Sequence, residues 1–348
     1  MKKLIYVNPA AGHNVFLWWH YFFSQYYNYH TYHHDTPSSY EKNHFLQYKH
    51  IIKIGKNFVV FYKKPEIKID KDDIMIIWDI FTNSLVYKSY RSKNILYYSE
   101  FFLFWKSLWK KIFFYITTLF FFRHKKMIVP TKLAYNTYKK TVKNVLYMPT
   151  LYHDEIHIHT HQNKWTIKLL FVWRVSQTYK NIYFLIDNYL SMKKTGHNIS
   201  LTIVWAIEEE WFMQKYQNEL EIGAFTYLGV KNKEELHDIY LEHDVFILPS
   251  NSDPIGAVIL EAMAHGLAII TSDSVGASCY IEEWVNWYIF KTNDSIDFQN
   301  KLELLINIHN LWVYKQASYD IVKNKYRVKN TTVRADYYKK LTTFISSK

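Results

Sequence analysis

The sequence predicts an α/β protein with two doubly wound parallel sheets, each covered by helices. Its length of 348 residues is more than one hydrophobic core usually holds, so two domains are expected. Short continuous apolar runs alternate with helical patterns, as in parallel strands that are covered on both faces. This alternation restarts after a polar, histidine-rich stretch at residues 150–163, which predicts one sheet in each half of the chain.

The first half begins with a strand, a turn of small residues and a helix-like run. This order is typical of the first unit of a nucleotide-binding domain. The strands expected in this half are the short apolar runs at residues 3–7, 58–62, Ile74–Trp78, 95–98 and 127–129. Residues 144–149 and the polar stretch that follows them are interpreted as the connection to the second half.

The second half repeats the pattern with clearer helices. Its expected strands are residues 168–173, 201–205, 224–228, Val245–Leu248 and 268–271. Its expected helices are residues 181–194, 208–220, Lys233–Glu242 and 256–265, followed by a helical tail. Strand and helix alternate in both halves, which favours two facing doubly wound sheets over separate all-α and all-β domains.

Positive charge is concentrated in the first half. Residues 1–150 hold 23 Lys and Arg against 8 Asp and Glu, whereas the remainder holds 20 against 23. A basic first domain therefore faces an anionic partner, which is a membrane surface, an acidic lipid-linked or polysaccharide substrate, or nucleic acid. The single cysteine, Cys279, excludes an internal disulfide framework, and the absence of an export signal predicts a cytoplasmic protein.

The most apolar stretch is the aromatic segment at residues 101–122, FFLFWKSLWKKIFFYITTLFFF. Its length would span a bilayer, but Lys106, Lys110 and Lys111 would each cost roughly 3 kcal/mol at the membrane centre. Two readings stay open, a helix lying in a membrane interface and a buried helix with one wet edge. The basic residues 123–126 that follow favour contact of residues 101–126 with an anionic membrane.

The histidines at positions 157, 159 and 161 would share one face of an extended segment. That arrangement is a conceivable metal site. Histidines in a polar connection are more often solvated than bound to a metal, and no carboxylates are assigned to orient these. No metal site is therefore predicted from them.

The segment at residues 244–278 carries the clearest chemistry, DVFILPSNSDPIGAVILEAMAHGLAIITSDSVGAS. A buried strand ends before a polar loop that contains Asp253, and small residues then begin a helix. Free backbone N–H groups at such a helix start suit a diphosphate. Glu261 lies eight residues after Asp253, so the two carboxylates can flank one cleft.

At these residues the sequence resembles glycosyltransferase family 4. DPIGAVILEAMAHG follows the family's acid–Pro–aromatic–Gly pattern and its Glu-Ala-Met-Ala segment, with Asp253 in place of Glu and Ile255 in place of Phe. FVWRVSQTYKN is similar to the family's strand–Gly–Arg–loop–Lys segment and contains Arg174 and Lys180. The turn at Gly12 resembles the family's N-terminal glycine loop more weakly.

The resemblance implies a GT-B fold with two Rossmann-like domains facing a cleft. Residues 1–150 would bind the acceptor and residues 151–325 the nucleotide-sugar donor. Residues 326–348 would form a helix that packs back on the first domain.

The resemblance also implies roles for individual residues. Glu261 would bind the ribose hydroxyls, and Asp253 would contact the donor sugar near the reacting carbon. The diphosphate would be bound by the donor-site cations and backbone amides, namely Arg174, Lys180, Gly256, Ala257 and Val258. Gly12 would complete the donor site, and Glu100, at the end of a strand of the first sheet, is a catalytic candidate on the acceptor side.

The function expected from this resemblance is transfer of a hexosyl unit from a UDP- or GDP-sugar, with retention, to a lipid-linked or cell-surface polysaccharide. Neither a metal nor another cofactor is expected, and the protein would lie peripherally at the inner face of the cell membrane. A non-catalytic binding relative is the alternative, because Trp173, Ala206 and Trp287 replace family glycines. Nucleic-acid binding, suggested by the basic aromatic half, is a third hypothesis.

Overall fold

The chain forms two compact units, one of residues 1–153 with 326–348 and one of residues 154–325. The computed structural model describes residues 3–8, 22, 25–26, 28–33, 51–53, 58–61, 74–78, 94–99, 108–158, 166–172, 180–204, 211–306 and 311–347. The α/β class and the paired parallel sheets predicted from the sequence are confirmed within these residues.

The first unit is built on a sheet to which the described residues contribute eight strands. They are β1 Lys3–Asn8, β2 Asn28–His33, β3 Ile51–Lys53, β4 Phe58–Phe61, β5 Ile74–Trp78, β6 Asn94–Tyr98, β7 Lys126–Val129 and β8 Asn144–Tyr147. Their order across the sheet is β3-β4-β2-β1-β5-β6-β7-β8, and only the β3–β4 pair among them is antiparallel. Helices α1, Leu108–Thr117, and α2, Lys132–Tyr138, precede and follow β7.

The second unit is built on a sheet of six described strands, all of them parallel. They are β9 Ile167–Val172, β10 Ile199–Val204, β11 Thr226–Tyr227, β12 Val245–Leu248, β13 Ala268–Ser272 and β14 Trp287–Phe290. Their order is β11-β10-β9-β12-β13-β14. The chain therefore builds outward from β9 in one direction and then from β12 in the other, which makes the β9–β12 boundary the topological switch point.

Helices flank this second sheet and bury its central strands. They are α3 Ile182–Lys194, α4 Trp211–Lys215, α5 Gln217–Glu221, α6 Lys233–Glu242, α7 Val258–Ala264, α8 Ser295–Ile306 and α9 Leu311–Ile321. All four side chains of β12 are fully buried, as expected for a parallel strand covered on both faces. The α6 helix begins with a capping box in which Asn232 and Glu235 exchange side-chain and backbone hydrogen bonds.

The last helix, α10, Thr331–Ser346, belongs to the first unit. The chain returns to that unit through backbone hydrogen bonds of 2.8 Å from Tyr152 N to Tyr326 O and from Val328 N to Tyr152 O. Lys126 Nζ donates to the carbonyl oxygens of Ile345 and Ser347 at the helix end.

Two local predictions are wrong. Residues 144–149, expected to be connection, contain the edge strand β8, whose half-exposed side chains gave a weak apolar signal. The sequence predicts a single helix at residues 208–220, but the described residues from 211 onward form two short helices, because the backbone of Tyr216 leaves the helical region between α4 and α5.

The described part of the aromatic segment is α1 followed by a π-helical turn at Thr118–Phe122. Phe114, Thr118 and Phe122 are buried, whereas Phe120 and Phe121 are 75% and 66% exposed. None of the described helices combines the length and the hydropathy that a membrane crossing requires.

Candidate functional site

Asp253 and Lys180 meet at the switch point of the second sheet. Lys180 follows β9 in the chain and Asp253 follows β12, and these strands are neighbours. Lys180 Nζ donates to Asp253 Oδ2 at 2.5 Å, and both residues are buried, with 7% and 5% of their surfaces exposed. A parallel sheet binds ligands beyond the carboxyl ends of its strands at this point. The structure therefore brings together two residues that the sequence analysis assigned to the donor site.

The other carboxylate oxygen of Asp253 orders the turn that leads into α7. Oδ1 accepts hydrogen bonds from the backbone N–H groups of Gly256 at 2.8 Å and Ile255 at 3.3 Å. The carboxylate is thus bound on one side by its own turn and on the other by Lys180. The side chain of Asp253 is shorter than that of the glutamate in the family pattern, and this length suits hydrogen bonds to backbone amides two and three residues later.

Of the backbone amides at the start of α7, one already donates a hydrogen bond to a described residue and two do not. The Gly256 amide is occupied by Asp253, whereas the amides of Ala257 and Val258 meet no acceptor within the parts of the chain described above. The helix begins at Val258, two residues later than the sequence predicts, because Gly256 has a φ of 62°. These two amides are the ones that a bound anion would reach.

Glu261 lies in the first turn of α7, and its carboxyl contacts Tyr240 of α6. Tyr240 donates its phenolic hydrogen to Glu261 Oε2 at 3.3 Å. Burial and, to a lesser degree, the nearby Asp154 raise the pKa of Glu261 to about 7, while the Tyr240 hydrogen bond and Lys233 act in the opposite direction. Glu261 therefore titrates in the physiological range.

Three histidines form a cluster beside Glu261 that the sequence analysis did not predict. We call His157, His237 and His265 the histidine cluster; their ring centroids are 4.4 to 6.2 Å apart. His265 Nδ1 bonds the Glu261 carbonyl oxygen at 2.7 Å, and burial lowers the pKa of His265 to about 4. Its position four residues after Glu261, one helical turn away, is the signal that would have found it.

Other predicted site residues lie outside the described residues. They are Gly12, Glu100 and Arg174, together with His159, His161, Trp173 and Ala206. Ser99, which precedes Glu100, is buried and shares a 2.6 Å hydrogen bond with the Tyr138 hydroxyl. Over the ranges the structure describes, no cluster of three or more histidine, cysteine or acidic side chains has the arrangement of a metal site.

The family match lies in the second unit. Residues 154–319 match the family model described as glycosyl transferases group 1. Sulfoquinovosyl transferase SQD2 from Arabidopsis thaliana is 29% identical over 133 residues, which cover 35% of this chain and 26% of that protein. The capsular polysaccharide biosynthesis glycosyltransferase CapM from Staphylococcus aureus is 24% identical over 139 residues, 38% of this chain and 35% of CapM. The matched region thus spans about a quarter to a third of these curated relatives.

Solved structures extend the likeness to both units. Sucrose-phosphate synthase from Thermosynechococcus elongatus superposes with a TM-score of 0.75 and 11% identity, covering 99% of this chain and 100% of that one. Anabaena HepE in complex with UDP gives a TM-score of 0.70 and 15% identity, again over 99% and 100% of the two chains. Likeness at this identity establishes the fold, which is the GT-B fold that the sequence resemblance implied.

Proposed function

Because residues 154–319 of this chain match the glycosyl transferases group 1 family model, we propose that the protein is a family 4 glycosyltransferase. It would move a hexosyl unit from a UDP- or GDP-sugar to a lipid-linked or cell-surface polysaccharide acceptor. The observation that carries the proposal is the buried Lys180–Asp253 pair at the switch point of the second sheet, with Glu261 on the helix that follows.

The proposed chemistry begins with charge neutralisation of the donor diphosphate. Lys180 and the free amides of Ala257 and Val258 would receive its oxygens, together with Arg174 as the resemblance implies. Cleavage of the bond between the anomeric carbon and the diphosphate oxygen leaves negative charge on the diphosphate. Fixed cations and amide dipoles stabilise such a developing charge. This electrostatic stabilisation of the transition state is usually the largest single contribution to an enzyme's rate enhancement. With these groups present, we propose a reaction that needs no metal.

Asp253 and Glu261 would act on the two sugars of the donor. Asp253, fixed by its turn and by Lys180, would place negative charge near the oxocarbenium-like centre of the transferred sugar. Glu261 would accept hydrogen bonds from the ribose hydroxyls. The new bond to the acceptor oxygen would form with retention of configuration, as in the family that the motif resembles, and the proton of the acceptor hydroxyl would pass to the leaving diphosphate oxygen.

Named relatives support the donor and acceptor classes. HepE binds UDP, and CapM is named for capsular polysaccharide biosynthesis. A Campylobacter jejuni relative, 32% identical over 87 residues, is named for transfer to a diphospho-undecaprenol-linked sugar. These names favour a uridine nucleotide donor and an acceptor that is polymeric or carried on a membrane lipid.

The end of α1 supports a peripheral position at the inner face of the cell membrane. Ile116, Phe120 and Phe121 are exposed, and the exposed Arg123 and Lys125 follow directly. Exposed aromatic rings beside cations match an interface between acyl chains and anionic headgroups. We propose that this surface brings the basic first unit to an acceptor that is carried on a membrane lipid.

The test of the proposed function is release of UDP or GDP from a panel of sugar donors by the full chain. We expect Lys180→Met and Arg174→Ala to lower turnover by about 100-fold, since each removes one cation from the leaving diphosphate. Lys315→Met is the matched control for the first variant. Lys315 is a buried lysine of the second unit that pairs with the half-buried Asp244 at 2.9 Å, and it has no place in the proposed site.

Equal turnover in Lys180→Met and Lys315→Met would contradict the assignment of the donor site. Calorimetric titration with UDP- and GDP-sugars separates an enzyme from a non-catalytic relative. Binding of a donor without turnover on any acceptor would favour the binding relative, and absence of binding by every donor would overturn the proposed function.

A further inference from the structure

The carboxyl of Glu261 is held at one oxygen only by the described residues. Tyr240 donates to Oε2, and Oε1 has no partner among the residues whose placement is known. Tyr240 is 2% exposed and lies on α6, whereas Glu261 lies on α7, so the contact joins two helices. One oxygen is thereby fixed while the other stays available to a ligand.

The ring of Tyr240 packs against His265, one member of the histidine cluster. It stacks on His265 with a centroid distance of 4.9 Å and an interplanar angle of 21°. The orientation of the His265 ring is fixed, because both its backbone N–H and its Nδ1–H donate to the Glu261 carbonyl oxygen. Its Nε2 then accepts from His237 Nδ1 at 3.0 Å, since a neutral imidazole with a protonated Nδ1 has one acceptor nitrogen.

We propose that Tyr240 is a positioning residue for nucleotide binding, and that its phenol, fixed by the stack on His265, orients the Glu261 carboxylate toward the ribose hydroxyls. This inference rests on the proposed function, in which Glu261 binds the ribose. It adds that affinity for the nucleotide depends on a tyrosine that does not itself touch the ligand.

The contact also links nucleotide binding to pH. The titratable groups that act on the Glu261 carboxyl are Tyr240 and Lys233 on α6 and Asp154 on the segment before β9. His265 bonds the Glu261 backbone carbonyl, and His237 and His157 lie around His265. Lys233 Nζ pairs with Asp154 at 2.6 Å, which reduces the effect of both on the carboxyl. With Oε2 held by Tyr240, an ionised Glu261 accepts hydrogen bonds from the ribose at Oε1 and, unlike the protonated acid, is acceptor-only. Affinity therefore rises as the pH increases through about 7, where this carboxyl titrates.

The experiment compares Tyr240→Phe with the wild type and with Tyr189→Phe. Tyr189 is a fully buried tyrosine of the same unit whose hydroxyl donates to Ala224 O at 2.7 Å, so its variant removes a matched hydrogen bond elsewhere. UDP and GDP affinities are measured by calorimetry from pH 6 to 9. We expect Tyr240→Phe to weaken binding about fivefold at neutral pH and to move the pH midpoint upward, while Tyr189→Phe matches the wild type.

Thermal unfolding over the same pH range measures how the ionisation of Glu261 affects stability when no ligand is bound. Because the folded pKa is raised above that of the unfolded chain, the folded state binds an extra proton between about pH 4.5 and 7. Glu261 therefore costs stability as the pH rises through this window, and Glu261→Gln flattens the profile. Tyr240→Phe extends the loss to higher pH, because it removes a hydrogen bond that favours the ionised carboxyl.

The two readouts separate the inference from the proposed function. If Glu261→Gln loses nucleotide affinity while Tyr240→Phe keeps the wild-type affinity and pH midpoint, the positioning role is wrong and the donor site stands. If Glu261→Gln keeps full affinity, the nucleotide role of Glu261 is wrong and the inference falls with it. If Tyr240→Phe and the wild type show the same dependence of thermal stability on pH, the hydrogen bond between Tyr240 and Glu261 is wrong.

Discussion

Gly256 shows at the scale of one residue why the turn between Asp253 and α7 needs glycine. Its φ of 62° lies in the left-handed region, which costs other residues roughly 1–2 kcal/mol. An added Cβ would also lie 2.7 Å from Val275 Cγ1, 3.2 Å from Ala277 Cβ and 3.3 Å from Leu248 Cδ2. The turn that presents Asp253 and the start of α7 is therefore packed against β12 and the segment after β13 with no room for a methyl group.

We predict that Gly256→Ala destabilises the second unit by about 2–4 kcal/mol, because backbone strain and overpacking add. Gly229→Ala is the control, since Gly229 has a φ of 67° but no atom within 4 Å of an added Cβ. It should lose only the strain contribution of about 1–2 kcal/mol. Chemical denaturation of both variants measures the difference; equal losses would mean that the contacts of the turn relax freely.

The sequence motifs name Asp253, Lys180 and Glu261 as site candidates but do not predict the contacts that these side chains make. Asp253 and Lys180 are 73 positions apart, so no local spacing shows that they form a pair. The same holds for Tyr240 and Glu261, which lie on different helices. A motif predicts which residues lie near strand ends. Which of their side chains pair depends on the order of the strands in the folded sheet.

Element boundaries were predictable where local chemistry marks them. The α6 helix runs from Lys233 to Glu242 as predicted, because the capping box at Asn232 defines its start. The strand Ile74–Trp78 and the strand Val245–Leu248 were also predicted with their observed limits, since each is a short apolar run between polar residues. The strand Asn28–His33, sequence NYHTYH, was missed because its polar and aromatic composition shows no apolar run.

The π-helical turn at Thr118–Phe122 is the element that the membrane proposal depends on. We predict that the double variant Phe120→Ser/Phe121→Ser lowers binding to vesicles of phosphatidylcholine with phosphatidylglycerol at least tenfold. Each exposed phenyl ring contributes about 1 kcal/mol or more when it enters the interface. Co-sedimentation of the full chain with vesicles at two salt concentrations measures this.

Ile222→Ser is the control for that experiment, because Ile222 is 78% exposed and belongs to the second unit. Binding to phosphatidylcholine vesicles alone should be weaker than to the anionic ones, since Arg123 and Lys125 lie beside the two rings. Unchanged binding by the double phenylalanine variant would show that the surface at the end of α1 has another role.

At the scale of the whole molecule, the C-terminal helix ties the two ends of the chain into one unit. Val333, Tyr337 and Leu341 of α10 are buried, and the ring of Tyr338 stacks on Tyr26 at 4.2 Å. The first unit thus contains residues 1–153 and also residues 326–348, which enclose the second unit in sequence. Stability of the first unit therefore depends on a segment made after the second unit is complete.

We predict that Leu341→Ala destabilises the first unit by about 2–5 kcal/mol and leaves the second unchanged. The side chain is fully buried, so its truncation removes apolar contacts and leaves a cavity. A single unfolding free energy does not describe a chain of two units, so hydrogen exchange by mass spectrometry is the measurement. Amides of Lys126–Val129 should exchange faster, whereas those of Val245–Leu248 should keep their protection. Lys339→Ala, an exposed change on the same helix, should alter neither strand, and equal loss of protection in both strands would contradict the division into two energetic units.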